Sequence, residues 1–179
     1  MTTPIKLAVS ACLLGEPVRY DGRQKRDENI INKLGALFTL IPFCPEVECG
    51  MPTPREPMRL ESEPGGSPRL IVISSRADKT EQMLTFCQTK LKQQEELNLS
   101  GFIFKERSPS CALLTAPLHS EAPCQIFTAG LFANEVARHF PLMPLEEAEN
   151  LRTPYLLDNF IERVRVYDIP RYSGDIIPI

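Results

Sequence analysis

The sequence predicts an α/β domain built on a mainly parallel sheet, and three observations carry that expectation. Short β-branched apolar runs alternate with stretches whose apolar residues recur at helical spacing. The runs break at clusters of Gly, Pro and Ser, as strands feeding loops do. Cys12, Cys44 and Cys111 close three of the runs, which puts them at strand carboxyl ends, where open α/β sheets bind ligands.

Taken in order, "IKLAVSACLL" is a buried strand broken by Gly15-Glu16-Pro17, with Cys12 at its carboxyl end. Residues 27–37, "DENIINKLGAL", align Ile30, Ile31, Leu34 and Leu37 on one helical face behind Asp27, a suitable cap. "FTLIPFC" is a second strand ending at Cys44. In "FCPEVECGMPTPREP", residues 43–57, four prolines remove backbone donors and fix φ, so a stiff loop is expected rather than a helix or strand. "RLIVISS" is a third buried strand, and Ala77 to Leu97 a long amphipathic helix with Met83, Leu84, Cys87 and Leu91 on one face. "GFIFKERSPSC" is a fourth strand running into a Ser-Pro turn and ending at Cys111. Helices near Gly130–Phe140 and Pro154–Tyr167 close the chain, joined by the proline- and glutamate-rich "PLMPLEEAENL".

At 179 residues the chain fits one domain, burying roughly 70% of the surface its unfolded form exposes. The apolar fraction is 42%, the charged fraction 24%, and no apolar run is long enough to span a membrane. Net charge is -3 with lysines and arginines scattered among acids, so charge gives no support to binding a nucleic acid. Six cysteines in a chain of this length do not call for a disulfide framework and point to the reducing cytoplasm, where clustered thiols bind metals or react. "LAVSAC" has the small residues of a lipoprotein cleavage site. Only Ile5 to Val9 precede it, however, and Lys6 interrupts them, which is too short for a secretory apolar region.

Three thiols from three strand ends, without a nearby fourth ligand, suit either an open zinc site or an iron-sulfur cluster with one iron unligated by protein. Cys87, on the apolar face of its helix, is a small buried hydrophobe; Cys49 follows Cys44 at ligand-like spacing, and Cys124 has no partner pattern. Glu46 is either a solvated loop carboxylate or, beside a cluster, a general base. Ser108 and Ser110 flank Pro109 and suit ordinary turn chemistry, while Arg55 and Arg59 are surface charges or anchors for an anionic ligand. The two histidines, His119 and His139, give little support to a Cys-His pair.

"VSACLLGEPVRYDG", "CPEVECGMPTPREP" and "FKERSPSC" resemble, in the right order, the three signature blocks of the bacterial thiouracil and thiouridine desulfidase family. The resemblance runs from about residue 5 to residue 140; "MPLEEAENL" and "NFIERVRVY" resemble the segment that joins this domain to a second one in longer relatives associated with transfer RNA demodification. Family members often carry Gly where this chain has Cys49 and Ala112, which argues against Cys49 as a required ligand.

The resemblance implies a Rossmann-like, three-layer fold in a single domain, with the site carried by residues 1–142 and residues 143–179 a helical extension packed on it. It implies a 4Fe-4S cluster held by Cys12, Cys44 and Cys111, with the fourth iron open to the substrate sulfur, and catalytic roles for Glu46 and Ser108. The expected reaction is hydrolytic, non-redox removal of sulfur from thiouracil or a 4-thiouridine nucleotide. A free base or mononucleotide is favoured over transfer RNA, with Arg19, Tyr20, Arg55 and Lys105 as candidates for touching ring or phosphate. The readings from other classes are a non-catalytic redox or metal-sensing iron-sulfur module and a structural zinc protein.

Overall fold

The structure, a computed structural model, describes residues 4–121 and 125–173; Cys124 lies outside the described residues. The apolar run of β1 (Lys6–Ser10) is buried from Leu7 onward. Asp27 then caps α1 (Glu28–Leu34), its Oδ1 accepting the amides of Asn29 at 3.1 Å and Ile30 at 3.3 Å. β2 (Thr39–Phe43) leads into α2 (Pro45–Glu48), β3 (Met58–Glu61), β4 (Arg69–Val72) and α3 (Thr80–Glu96). β5 (Leu99–Phe104), β6 (Ala116–His119), β7 (Ile126–Thr128), α4 (Leu131–His139), β8 (Leu145–Glu147) and α5 (Pro154–Ser173) complete the order.

The main sheet runs β2-β1-β5-β8 with every described pair parallel, as the sequence predicts. Pro42 sits in β2, an edge strand, where a missing amide donor is tolerated. Because successive side chains point to opposite faces, Leu7, Val9 and Ile103 pack with Ile30, Leu34, Phe160 and Val164, from α1 and α5. Ala8, Phe102 and Phe104 pack on the other face with Met83, Leu91, Phe132 and Val136, from α3 and α4. The result is a three-layer α/β/α arrangement. Gly101 permits its tightest contact: a Cβ there would stand 3.0 Å from Leu7 Cδ2 and 3.1 Å from Val164 Cγ2, so α5 lies directly on β5.

A second sheet, β4-β3-β6-β7, is built from two insertions into the first, β3 and β4 between β2 and β5 and β6 and β7 between β5 and β8, and here several expectations change. "RLIVISS" does not join the parallel sheet: β4 follows β3 through a short turn containing Gly65 at φ 74°, and so short a connection allows only antiparallel pairing. "GFIFKERSPSC" stops being a strand at Phe104, leaving Cys111 in the turn beyond it. The proline-rich stretch after Cys44 holds one helical turn, because Pro45 occupies the first helical position, where its lack of a donor costs nothing. "PLMPLEEAENL" contains β8 and a 3-10 turn, Asn150–Arg152, so residues on both sides of position 142 contribute to one sheet.

Asp27 also accepts a bond from Arg152 Nη2 at 3.5 Å, tying the start of α1 to the turn before α5. Asp27→Ala is expected to lower stability by about 1 kcal/mol, the usual worth of an N-cap; the midpoint of urea unfolding measures it.

Candidate active site

The chain leaves β1 for β2 on one side, then returns to place β5 on β1's other side and β8 beyond it. Strand order therefore reverses between β1 and β5, the place where parallel sheets open a crevice at their carboxyl ends. A cavity of about 360 Å³ lies there, within the roughly 300–1,000 Å³ range of small-ligand sites. Cys12, Cys44 and Cys111 all line it, and all are free thiols. Ser10 pairs with Phe43 across β1 and β2, so Cys12, in a 3-10 turn, and Cys44, the residue before α2, leave the sheet at neighbouring strand ends. Phe43, stacked on Phe132 with ring centroids 4.7 Å apart, lines the cavity from the core side.

Cys111 depends on contacts distant in sequence. Ser108 Oγ accepts the amides of Ser110 at 3.3 Å and Cys111 at 3.0 Å, closing the Ser-Pro-Ser-Cys turn. The first amides of α4, which lack partners within the helix, meet the same turn: Leu131 donates to Pro109 O, and Phe132 and Ala133 to Ser110 O, each at 3.1 Å. This approach requires glycine at 130, since a Cβ there would stand 2.5 Å from the Ser110 carbonyl carbon and 2.9 Å from the Cys111 nitrogen.

Glu46 is buried at the cavity wall. Arg55 holds its Oε2 through Nε at 2.7 Å and Nη2 at 2.5 Å, and Ser110 Oγ donates to Oε1 at 2.8 Å. Arg55 spends its remaining donors on Pro52 O at 3.2 Å, Thr53 Oγ1 at 3.3 Å and Val18 O at 3.0 Å. Arg55 therefore touches the cavity while its guanidinium is turned to protein. Lys105 also lines it, with Nζ on Glu106 Oε1 at 2.7 Å and its amide on Ser10 Oγ at 3.0 Å. Arg19, bonded to Asp21 at 3.3 Å, and the half-exposed Tyr20 complete the wall.

All nine sequence-predicted site residues thus meet at one cavity. Sequence reasoning missed two buried serines, Ser10 and Ser110, that hold its framework. The second serine of "SPSC" was visible as a motif residue; its carboxylate partner was not. Arg59 pairs with Glu61 at 2.7 Å along a separate groove that His119 also lines, and His139 bonds Glu95 at 2.7 Å.

Burial pushes all three thiols up: Cys12 to about 11 from 9.0, Cys44 in the same direction, and Cys111 well above its ordinary value. For Cys12 the cations Lys105 and Arg19 oppose that rise, and for Cys111 the Ser10 hydroxyl does, without overcoming desolvation. Thiols held this high keep their protons at neutral pH, and a metal that binds them displaces those protons. Among the described residues no three Cys, His, Asp or Glu side chains gather around a point that would hold a single ion. An iron-sulfur cluster makes a different demand, because each cysteine binds a different iron and the thiols stand apart around an inorganic core. Three free thiols lining one cavity, with no histidine or aspartate among the described residues of its wall, fit that demand.

Fold and site together define an α/β protein with a thiol-lined ligand cavity at the switch point of a parallel sheet. A family model described as 2-thiouracil desulfurase matches residues 7–148, and the chain belongs to that family. It is 36% identical over 109 residues to the uncharacterized protein YbbK of Bacillus subtilis (strain 168), covering 59% of this chain and 72% of that one. The solved structure of the 4Fe-4S-dependent thiouracil desulfidase TudS superposes with a TM-score of 0.68 at 28% identity, covering 88% of this chain and 99% of that one.

Two outcomes check this site. Gly130→Ala is expected to cost about 1–3 kcal/mol, as overpacking does, and to speed alkylation of Cys111 as the turn is pushed off α4. In metal-free protein, peptide mapping should find Cys12 alkylation still accelerating above about pH 10, where an exposed thiol has levelled off, because only the thiolate reacts and burial delays its formation.

Proposed function

We propose that the protein removes sulfur from a thiolated pyrimidine, a free base such as thiouracil or a 4-thiouridine nucleotide, giving the oxo-pyrimidine and sulfide. The observation that carries this reading is the meeting of three free thiols and the Arg55-held Glu46 on one cavity wall. The family and the TudS neighbour support the same chemistry. Cys12, Cys44 and Cys111 hold a 4Fe-4S cluster in this reading. When bound, the cluster supplies a Lewis-acidic iron without a protein ligand, a soft partner for a thiocarbonyl sulfur.

The chain's own residues do the rest. Phe43, Val18, Pro57 and Met58 give the cavity apolar surfaces suited to a flat ring. Glu46 orients a water and takes its proton as the oxygen attacks the ring carbon. Ser108 lines the cavity, its Oγ already accepting two amides, which leaves the hydroxyl proton to donate to substrate. Arg55 keeps the Glu46 carboxylate in place; contact with substrate is left to Arg19, Tyr20 and Lys105. Water supplies the oxygen and two protons, sulfur leaves as sulfide with both electron pairs of the former C=S double bond, and no oxidant or reductant is consumed.

No helix among the described residues is long and apolar enough to cross a membrane, and free thiols suit a reducing cytoplasm. The net charge of -3 favours a small substrate over transfer RNA. Anaerobically purified, iron-loaded protein offered 2-thiouracil and 4-thiouridine monophosphate should bleach the thiocarbonyl absorbance of at least one and release an equal amount of sulfide. Glu46→Gln should lower that rate roughly 100- to 10,000-fold while retaining iron. Iron-loaded protein that binds both compounds and turns over neither would point to a sensing module instead.

A further inference from the structure

One buried carboxylate outside the cavity makes more bonds than its sheet position requires. Glu147 ends β8 and is 4% exposed. Its Oε1 accepts the amides of Leu113 at 2.8 Å, Leu114 at 3.0 Å and Thr115 at 3.2 Å, and the Thr115 hydroxyl at 2.9 Å. Three successive amides curled around one oxygen form an anion-binding concavity, here filled by the chain's own side chain. The segment so held follows directly from Cys111 and Ala112. Thr115 Oγ1 also accepts the Arg107 amide at 2.9 Å, so the excursion from 107 to 115 is fastened at both ends to one anchor. Arg107 has φ 59°, a left-handed backbone that a non-glycine residue keeps only where its surroundings hold it. Without the carboxylate, three successive amides would lose the one acceptor they share.

We propose that Glu147 is a positioning residue that fixes where the Cys111 thiol stands and so sets how firmly the cluster is retained. This rests on the reading of Cys111 as a cluster ligand. Glu146 provides an internal comparison, because adjacent strand side chains point to opposite faces. It accepts from Asn150 at 2.8 Å, from Arg163 at 3.0 Å and from the Glu147 amide at 3.1 Å, and has no bond to the Cys111 segment among those described.

Wild type, Glu147→Gln, Glu146→Gln and Thr115→Val would be reconstituted with iron and sulfide without oxygen, then challenged with an iron chelator while visible absorbance is followed. Glu147→Gln, which keeps one acceptor oxygen but loses the charge that gathers four donors on it, should release iron roughly 10-fold faster than wild type, the low end of what weakening the support of a metal ligand costs. Thr115→Val, which removes one of the four donors, should shift release in the same direction by less. Glu146→Gln should release iron at the wild-type rate even though its thermal unfolding begins earlier. Wild-type retention in Glu147→Gln, or equal acceleration in Glu146→Gln, would overturn the proposal. Should Glu147→Gln fail to fold, a wild-type release rate in Thr115→Val overturns it alone. A wild-type chain that takes up no iron would remove the ligand reading itself and this proposal with it.

Discussion

The site depends on β1 and β5 lying side by side. Their parallel pairing, Leu7 to Gly101 and Val9 to Ile103, fixes the point where strand order reverses, and only there do loops from three strands face one another. The pairing rests on packing from both faces: Leu7 and Val9 against α1 and α5, and Ala8 against the phenylalanine cluster. Two elements of the site follow almost without further specification. Cys12 and Cys44 leave paired neighbouring strands within a residue or two of their ends, so in-register pairing of β1 and β2 is enough to bring them together.

Cys111 is a different case, since it lies beyond the end of β5 in a turn with no sheet partner of its own. The chain compensates with contacts supplied later in its sequence. The first amides of α4 satisfy Pro109 and Ser110 carbonyls, Gly130 allows the approach, and Glu147 gathers the amides of the following segment. Each device meets two needs at once: a helix start, a turn or a carboxylate that would be left unsatisfied finds its partner in the segment that must be held. The turn that carries the third thiol is thus held from α4 and from the end of β8, which pairs with β5.

This difference explains what could be read from the sequence. Helices α1, α3, α4 and α5 announce themselves through apolar spacing, and β1, β2 and β5 through continuous apolar runs. In the second sheet only β4, within "RLIVISS", gives a comparable signal. Its strands have three or four residues, too few to establish a period of two. β6 even contains Pro117, tolerated because the recorded pairing with β3 begins at Leu118. The thiols, Glu46 and Ser108 were legible as motif residues near strand ends. The bonds that hold them were not: Ser110 to Glu46, Glu147 to Leu113, and Lys105 to Ser10 each join residues with no local pattern in common. Arg55 shows the limit most clearly. Its residue type in a stiff loop suggests an anion anchor; the anion it meets is Glu46 of its own chain.

That ion pair constrains how Glu46 can act. A carboxylate oxygen offers about two good acceptor directions. Arg55 approaches Oε2 with two nitrogens, Nε and Nη2, which leaves that oxygen no open direction. Oε1 takes one bond, from Ser110, and keeps the other direction free. A water or substrate N–H held by Glu46 must therefore sit at Oε1, on the side of the Ser-Pro-Ser-Cys turn and of Cys111. Ser110 and Arg55 thus do more than stabilise a buried charge: by occupying the other directions they leave the carboxylate one way to face. The same turn presents Ser108 to the cavity, so the residues proposed to accept one proton and donate another are set by a single piece of backbone. Moving that turn would displace both together, which is why the contacts anchoring it from α4 and β8 belong to the site as much as the residues lining it.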